Sequence, residues 1–296
     1  MPIDTTELMK QVRKIRIYTS RLVDERFSGE YHSVFRGQGI EFDEVREYVP
    51  GDDIRSIDWN VTARMGHPFV KRFSEERELT IVFSVDISGS QSFGSGQRSK
   101  AEVAAEVTCL LAMSAVRNQD KVGLTLFSDR IVKSLPPRRG RTAVMRLVRE
   151  VLAAQETRHG TNIAAALRFL CSVQKRRAVV FLISDFLDED YQKELRVAAR
   201  RHDVICCHVS DPRETELENA GILEVEDPET GEFILLDTGA ASLRREFADS
   251  ARRSADDLQL AFKRLRIDNL FLSTARPFME DVHRLFHVRQ VRFSRG

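Results

Sequence analysis

A three-layer α/β fold, with a doubly wound and mainly parallel sheet covered by helices on both faces, is the architecture this sequence predicts. Two patterns carry the prediction. From about residue 79, short runs rich in Val, Ile, Leu and Phe alternate with longer stretches whose apolar residues recur at three-and-four spacing. Short apolar runs read as strands buried on both faces, and the longer stretches as amphipathic crossover helices. Alternation of this kind builds a layered sheet through right-handed connections.

The strands are expected at residues 79–85, 121–127, 177–184, 203–209 and 268–272, with helices at 99–117, 141–154, 162–173, 189–201 and 241–265. Two β-hairpin additions are expected at the sheet edges. The first turns at Ser128-Asp129-Arg130 into Ile131-Val132 and is stopped by Pro136-Pro137. The second pairs residues 222–226 with 232–236 around the turn Asp227-Pro228-Glu229-Thr230-Gly231. Residues 1–78 differ in texture. A helix near 5–23 precedes Gly-, charge- and turn-rich sequence with few regular elements. They read as a small irregular lobe, using Phe42, Trp59, Phe69 and Phe73 to pack on the main domain, residues 79–296.

At 296 residues, 42% hydrophobic and 31% charged, the chain can bury a substantial core. It contains no run near the roughly 18 apolar residues of a membrane span, and no signal pattern follows Met1. A soluble, cytoplasmic protein is expected. Cys109, Cys171, Cys206 and Cys207 lack C-x-x-C spacing and read as buried reduced thiols, the adjacent pair on opposite faces of a strand. A net charge of +1 with interspersed signs provides no field favouring nucleic acid or an anionic membrane.

In open α/β sheets ligands bind beyond the carboxyl ends of the strands, so the strand exits form a short list of candidate residues. The first strand ends in Asp86-Ile87-Ser88-Gly89-Ser90, a carboxylate and two hydroxyls at alternate positions. Such a loop offers oxygen ligands to a hard cation, although alone it is more often a helix-capping turn. Thr161 lies in His159-Gly160-Thr161-Asn162, where a helix begins, and Asp185 follows the strand at 177–184. Three loops can therefore reach one point.

In this order the pieces resemble the von Willebrand factor A fold with its metal-ion-dependent adhesion site. The resemblance implies that Ser88, Ser90 and Thr161 offer hydroxyls to Mg²⁺ or Mn²⁺, with Asp86 and Asp185 bound directly or through water. It also implies an open position completed by a partner's acidic residue.

A longer resemblance covers nearly the whole chain. Phe35-Arg36-Gly37-x-Gly39-Ile40-Glu41-Phe42, Val45-Arg46-Glu47-Tyr48-x-Pro50-Gly51-Asp52-Asp53-x-Arg55-x-Ile57-Asp58-Trp59 and Arg72-Phe73-x-Glu75-Glu76-Arg77 are similar to the bacterial family of unknown function DUF58. Genes of that family commonly neighbour those of MoxR-type AAA+ ATPases, which implies such an ATPase as partner. Many relatives carry upstream transmembrane helices. This chain is expected to be a short version without them.

A non-enzymatic, metal-dependent protein-interaction module follows from these readings; the alternative is a Mg²⁺-dependent hydrolase or phosphatase built on Asp86. Catalysis would need a base or nucleophile beside a metal-bound water. His159 reads as a solvent-facing loop residue, and Ser88 has no nucleophile elbow. The haloacid-dehalogenase pattern wants a second Asp where Ser88 stands. Gly94-Ser95-Gly96-Gln97-Arg98-Ser99-Lys100 does not satisfy the phosphate-loop pattern and reads as a connection into a helix. His283 and His287 lack the Glu of a zinc helix. The runs Pro136-Pro137-Arg138-Arg139-Gly140-Arg141 and Lys175-Arg176-Arg177, with Arg284, Arg289, Arg292 and Arg295, read as solvated helix ends rather than phosphate contacts. Asp52, Asp53, Arg55 and Asp58 read as organisers of the turn before Trp59, and Asp129 and Asp211 as structural.

Overall fold

Two amphipathic helices, α1 (Thr5–Leu22) and α2 (Glu25–Val34), open the chain. The computed structural model describes residues 5–23, 25–35, 40–75, 78–96, 98–154, 160–226 and 231–294. Leu8, Val12, Ile15 and Thr19 recur at helical spacing on the buried stripe of α1, and Phe27, Tyr31 and Val34 on that of α2. Next come the antiparallel strands β1 (Ile40–Glu47) and β2 (Phe69–Glu75), with the short helix α3 (Trp59–Met65) between them.

The remaining elements are β3 (Thr80–Asp86), α4 (Lys100–Arg117), β4 (Lys121–Phe127), β5 (Ile131–Arg138), α5 (Arg141–Ala153), α6 (Ile163–Val173), β6 (Val179–Ser184), α7 (Gln192–Arg201), β7 (Asp203–Ser210), β8 (Ile222–Glu226), β9 (Phe233–Asp237), α8 (Ala241–Leu265), β10 (Asp268–Ser273) and α9 (Met279–Ser294). Backbone contacts divide the chain into two compact units, Met1–Val34 with Thr80–Gly296, and Phe35–Leu79. The N-terminal helices, grouped by the sequence reading with the irregular lobe, thus belong with the sheet. Their buried stripes explain it: α1 packs on α4 and α5, and α2 on α9 and α4.

In the larger unit a six-stranded sheet runs in the order β10-β7-β6-β3-β4-β5, parallel throughout except for β5 against β4. This is the expected doubly wound order, reversing direction between β3 and β6. All six residues of β6 are buried because helices cover both faces. On one face Val82, Val180, Leu182, Val204 and Cys206 pack with Ile163, Leu167 and Leu170 of α6, Leu195 of α7 and Phe262 of α8. Alternate residues point the other way, and there Phe83 stacks on Phe181 with ring centroids 5.4 Å apart. The four cysteines are free and buried.

Three expectations need correction. Pro136 and Pro137 lie inside β5 rather than stopping it, which an edge strand tolerates because its outward N–H positions have no ladder partner. The second hairpin does not join the main sheet. Among the described residues β8 and β9 pair only with each other, and Thr238 ties their base by donating from its hydroxyl to Gly221 O (2.6 Å) and accepting from Ala220 N (3.0 Å). Trp59, read from the sequence as apolar packing area of the small lobe, opens α3 and is 67% exposed.

In the smaller unit the acidic turn is organised as expected. Asp58 caps α3 by accepting from Asn60 N and Val61 N, and Gly66 closes that helix at φ +80°. Arg46 forks onto both oxygens of Asp52 at 2.8 and 2.6 Å.

Candidate metal centre

The candidate site lies where the sheet order reverses. β3 and β6 are hydrogen-bonded neighbours at that switch point, and their carboxyl ends deliver Asp86 and Asp185 to the same crevice. After Asp86, Ser88 N donates to Asp86 Oδ1 at 2.9 Å, and a 3₁₀ turn over Gly89–Ser92 brings Ser90 round. Ser88 Oγ and Ser90 Oγ are 3.2 Å apart, and Ser90 Oγ donates to Asp185 Oδ2 at 2.7 Å.

The third loop arrives with Thr161, whose hydroxyl lies 3.4 Å from Asp86 Oδ2. Asn162 anchors that loop, its N–H donating to Ser128 O and its side chain capping α6 at Ala165 N. All five residues singled out from the sequence are therefore brought together by three loops. His159 lies outside the described residues.

Asp86 and Asp185 are both nearly fully buried. Burial, and then the neighbouring Asp185 carboxylate, push the Asp86 carboxyl well above the usual carboxylate range, against the hydrogen bonds from Ser184 and Ser88. The residue after Asp185, Phe186, holds φ +56°, a left-handed conformation that a bulky side chain adopts at a cost of roughly 1–3 kcal/mol.

Four neighbours were missed by sequence reasoning. Ser184 Oγ donates to Asp86 Oδ2 at 2.6 Å and accepts from Phe186 N. Lys100, the first residue of α4, is completely buried, and its ammonium donates to Asp185 Oδ2 at 2.8 Å and to Glu214 Oε1. Burial pulls the Lys100 amine down, but Asp185 and Glu214 outweigh it and hold the amine above its ordinary value. Glu214 sits on the 3₁₀ turn Pro212–Glu214 after β7. His208 of β7 is half-buried with its ring against Phe186 and Phe271, and desolvation lowers its imidazole to about 4.

The donor set is all oxygen: two carboxylates and three hydroxyls. Among the described residues no group of three or more His, Cys, Asp or Glu side chains is placed to hold a metal ion. The residues present therefore fit a hard dication such as Mg²⁺ or Mn²⁺ rather than a soft metal. Other sequence candidates have structural roles. His283 Nδ1 lies 2.7 Å from Glu30 Oε2 and packs edge-on against Phe27, while His287 is exposed. Ser99 forms a capping box with Glu102 at the start of α4.

Asp211 accepts from Ser95 N, Ser95 Oγ, Thr274 Oγ1 and Arg213 N, while its own N–H donates to Glu214 Oε2 at 2.9 Å. Burial raises its carboxyl, but hydrogen bonds led by those of Ser95 and Thr274 outweigh this and bring it down to about 2. A carboxyl lowered on folding stabilises above its ordinary value near 3.9 and loses that contribution as pH falls towards the folded value. Asp211→Asn should therefore be destabilised at pH 7, with a penalty that shrinks by roughly 2 kcal/mol between pH 5 and pH 2. Urea midpoints of both proteins across that range check it; a constant difference would count against it.

Among the described residues no helix is long and apolar enough to cross a membrane. The chain is similar to the uncharacterized protein Rv1480 of Mycobacterium tuberculosis, with 29% identity over 97% of this chain and 92% of that protein. Among solved structures it is similar to the conserved hypothetical protein BatB of Bacteroides thetaiotaomicron (TM-score 0.45, 14% identity, 72% of this chain and 99% of that one). It is also similar to the SpRpn10 VWA domain (TM-score 0.38, 10% identity, 69% of this chain and 93% of that one). The family described as protein of unknown function DUF58 matches residues 44–257, a span that holds all five candidate ligands, and the chain belongs to it.

Proposed function

We propose that this protein is a non-enzymatic, divalent-metal-dependent protein-interaction module in which Asp86, Ser88, Ser90, Thr161 and Asp185 hold Mg²⁺ or Mn²⁺. The observation that supports this reading is the convergence of two buried carboxylates and three hydroxyls from three loops at the switch point of the sheet. When bound, the ion supplies an electrophilic position for an acidic side chain of a partner. Ser88 and Ser90 position themselves for this through the 3₁₀ turn, and Asp86 is held in place by Ser184 and by Ser88 N–H. A MoxR-type AAA+ ATPase is the partner proposed, on the family resemblance.

Two measurements test the reading. Thermal unfolding in EDTA and in millimolar Mg²⁺ or Mn²⁺ should show stabilisation, about 2.7 kcal/mol at one hundred times the dissociation constant. Asp86→Ala should abolish that response. Co-purified partners should be lost with EDTA and from Asp86→Ala; recovery indifferent to both would remove the metal bridge. Metal-dependent turnover of simple phosphoesters, lost in Asp86→Ala, would instead favour a hydrolase.

A further inference from the structure

Lys100 occupies a position that two general effects oppose. It is the first residue of α4, where the helix dipole disfavours a cation, and its side chain is completely withdrawn from water. Among the described residues Asp185 and Glu214 are the anions that offset these costs, and both lie in other elements. Asp185 Oδ2 accepts from Lys100 and Ser90 together, leaving Oδ1 with one long contact from Leu187 N at 3.4 Å.

Counting charge makes the consequence explicit. Asp86, Asp185 and Glu214 carry three negative charges when ionised and Lys100 one positive. A dication then brings the cluster to zero. Without the ammonium the same loaded cluster would keep a net negative charge and repel an incoming carboxylate.

We propose that Lys100 is a built-in counter-cation of the metal site, which lowers metal affinity and leaves the loaded site neutral enough to accept an acidic partner. This rests on the metal reading above and adds a positioning and specificity residue to it. Lys100 touches the ligand Asp185, whereas Glu214 tethers the ammonium from the turn that Asp211 holds in place.

Electrostatics and simple damage predict different signs. Lys100→Met removes a positive charge beside the site and should bind Mn²⁺ on the order of tenfold more tightly, or better, while the metal-free protein loses stability. Glu214→Gln removes a negative charge and should bind Mn²⁺ more weakly by a similar factor. A purely structural lysine would instead weaken binding in both variants. The experiment is Mn²⁺ titration of the full chain by calorimetry or by the free-ion electron paramagnetic resonance signal, with folded fraction checked by circular dichroism. Tighter binding by Lys100→Met with weaker binding by Glu214→Gln supports the proposal. So does metal binding by Lys100→Met alone, with the wild type silent. Wild-type binding that Lys100→Met leaves equal or weakens overturns this proposal and spares the metal reading. Silence in all three proteins overturns both.

Discussion

Asp185→Ala should destabilise the metal-free protein by about 3 kcal/mol, the lower end of what breaking a buried ion pair costs. The carboxylate accepts from Lys100 Nζ and Ser90 Oγ at one oxygen, so its removal leaves a fully buried ammonium with Glu214 alone. The cost is that of stranding a charge, and it should be reversible by removing the charge. Asp185→Ala combined with Lys100→Met should recover most of the loss, because Glu214 is 27% exposed at its side chain and can turn to water. Asp86→Asn should behave oppositely in EDTA, costing little or stabilising, since it relieves the repulsion between two buried acids. Urea unfolding of the four proteins in EDTA checks this. A loss below 1 kcal/mol for Asp185→Ala, or no recovery in the double variant, would show that the Lys100 pair does not hold the site together.

That contrast also marks how far the sequence could be read. Asp86, Ser88, Ser90, Thr161 and Asp185 were legible because the strand pattern is strong and the switch-point rule converts strand exits into spatial neighbours. Lys100 was not legible. It closes a Gly-rich stretch, where a lysine reads as a solvent or phosphate group, and its partners lie 85 and 114 positions away. Burial of a charge is a tertiary fact with no local signature. Glu214 was hidden for the same reason, whereas Asp211, read from the sequence as structural, caps the turn Pro212–Glu214.

Element boundaries failed where local chemistry outweighed periodicity. The apolar pattern predicts a helix from 189, but Asp190 at φ +59° breaks it and α7 starts at Gln192. The helix α2 carries Gly29 and mostly polar residues, so its stripe of Phe27, Tyr31 and Val34 was too short to register. The hairpin β8–β9 was visible from its turn, whereas its detachment from the sheet was not, because pairing within the hairpin leaves the same alternation as pairing at an edge.

Arg289→Met should lower stability by about 3 kcal/mol, or roughly 6–12 °C in Tm for a domain of this size. In sequence Arg289 is one of several arginines near the C-terminus and reads as solvated; its side chain is only 2% exposed. From α9 its guanidinium donates to Asp268 Oδ2 at 2.7 Å and to both oxygens of Asp203. Those aspartates are the first residues of β10 and β7, adjacent parallel strands, so one planar fork binds the helix to the amino ends of both. Arg292 adds a second contact to Asp268 at 2.8 Å but is 58% exposed and cannot replace the fork. Arg289→Lys should recover only part of the loss, since a lysine offers one point of charge where two carboxylates must be bridged. Guanidinium unfolding checks the ordering wild type, Lys, Met, and a Met variant within 1 kcal/mol of wild type would refute it. The fork lies at the amino ends of the strands and the candidate metal centre at their carboxyl ends. A folded Arg289→Met protein should therefore keep the full stabilisation by Mn²⁺ that Asp86→Ala abolishes, which separates loss of the scaffold from loss of the site.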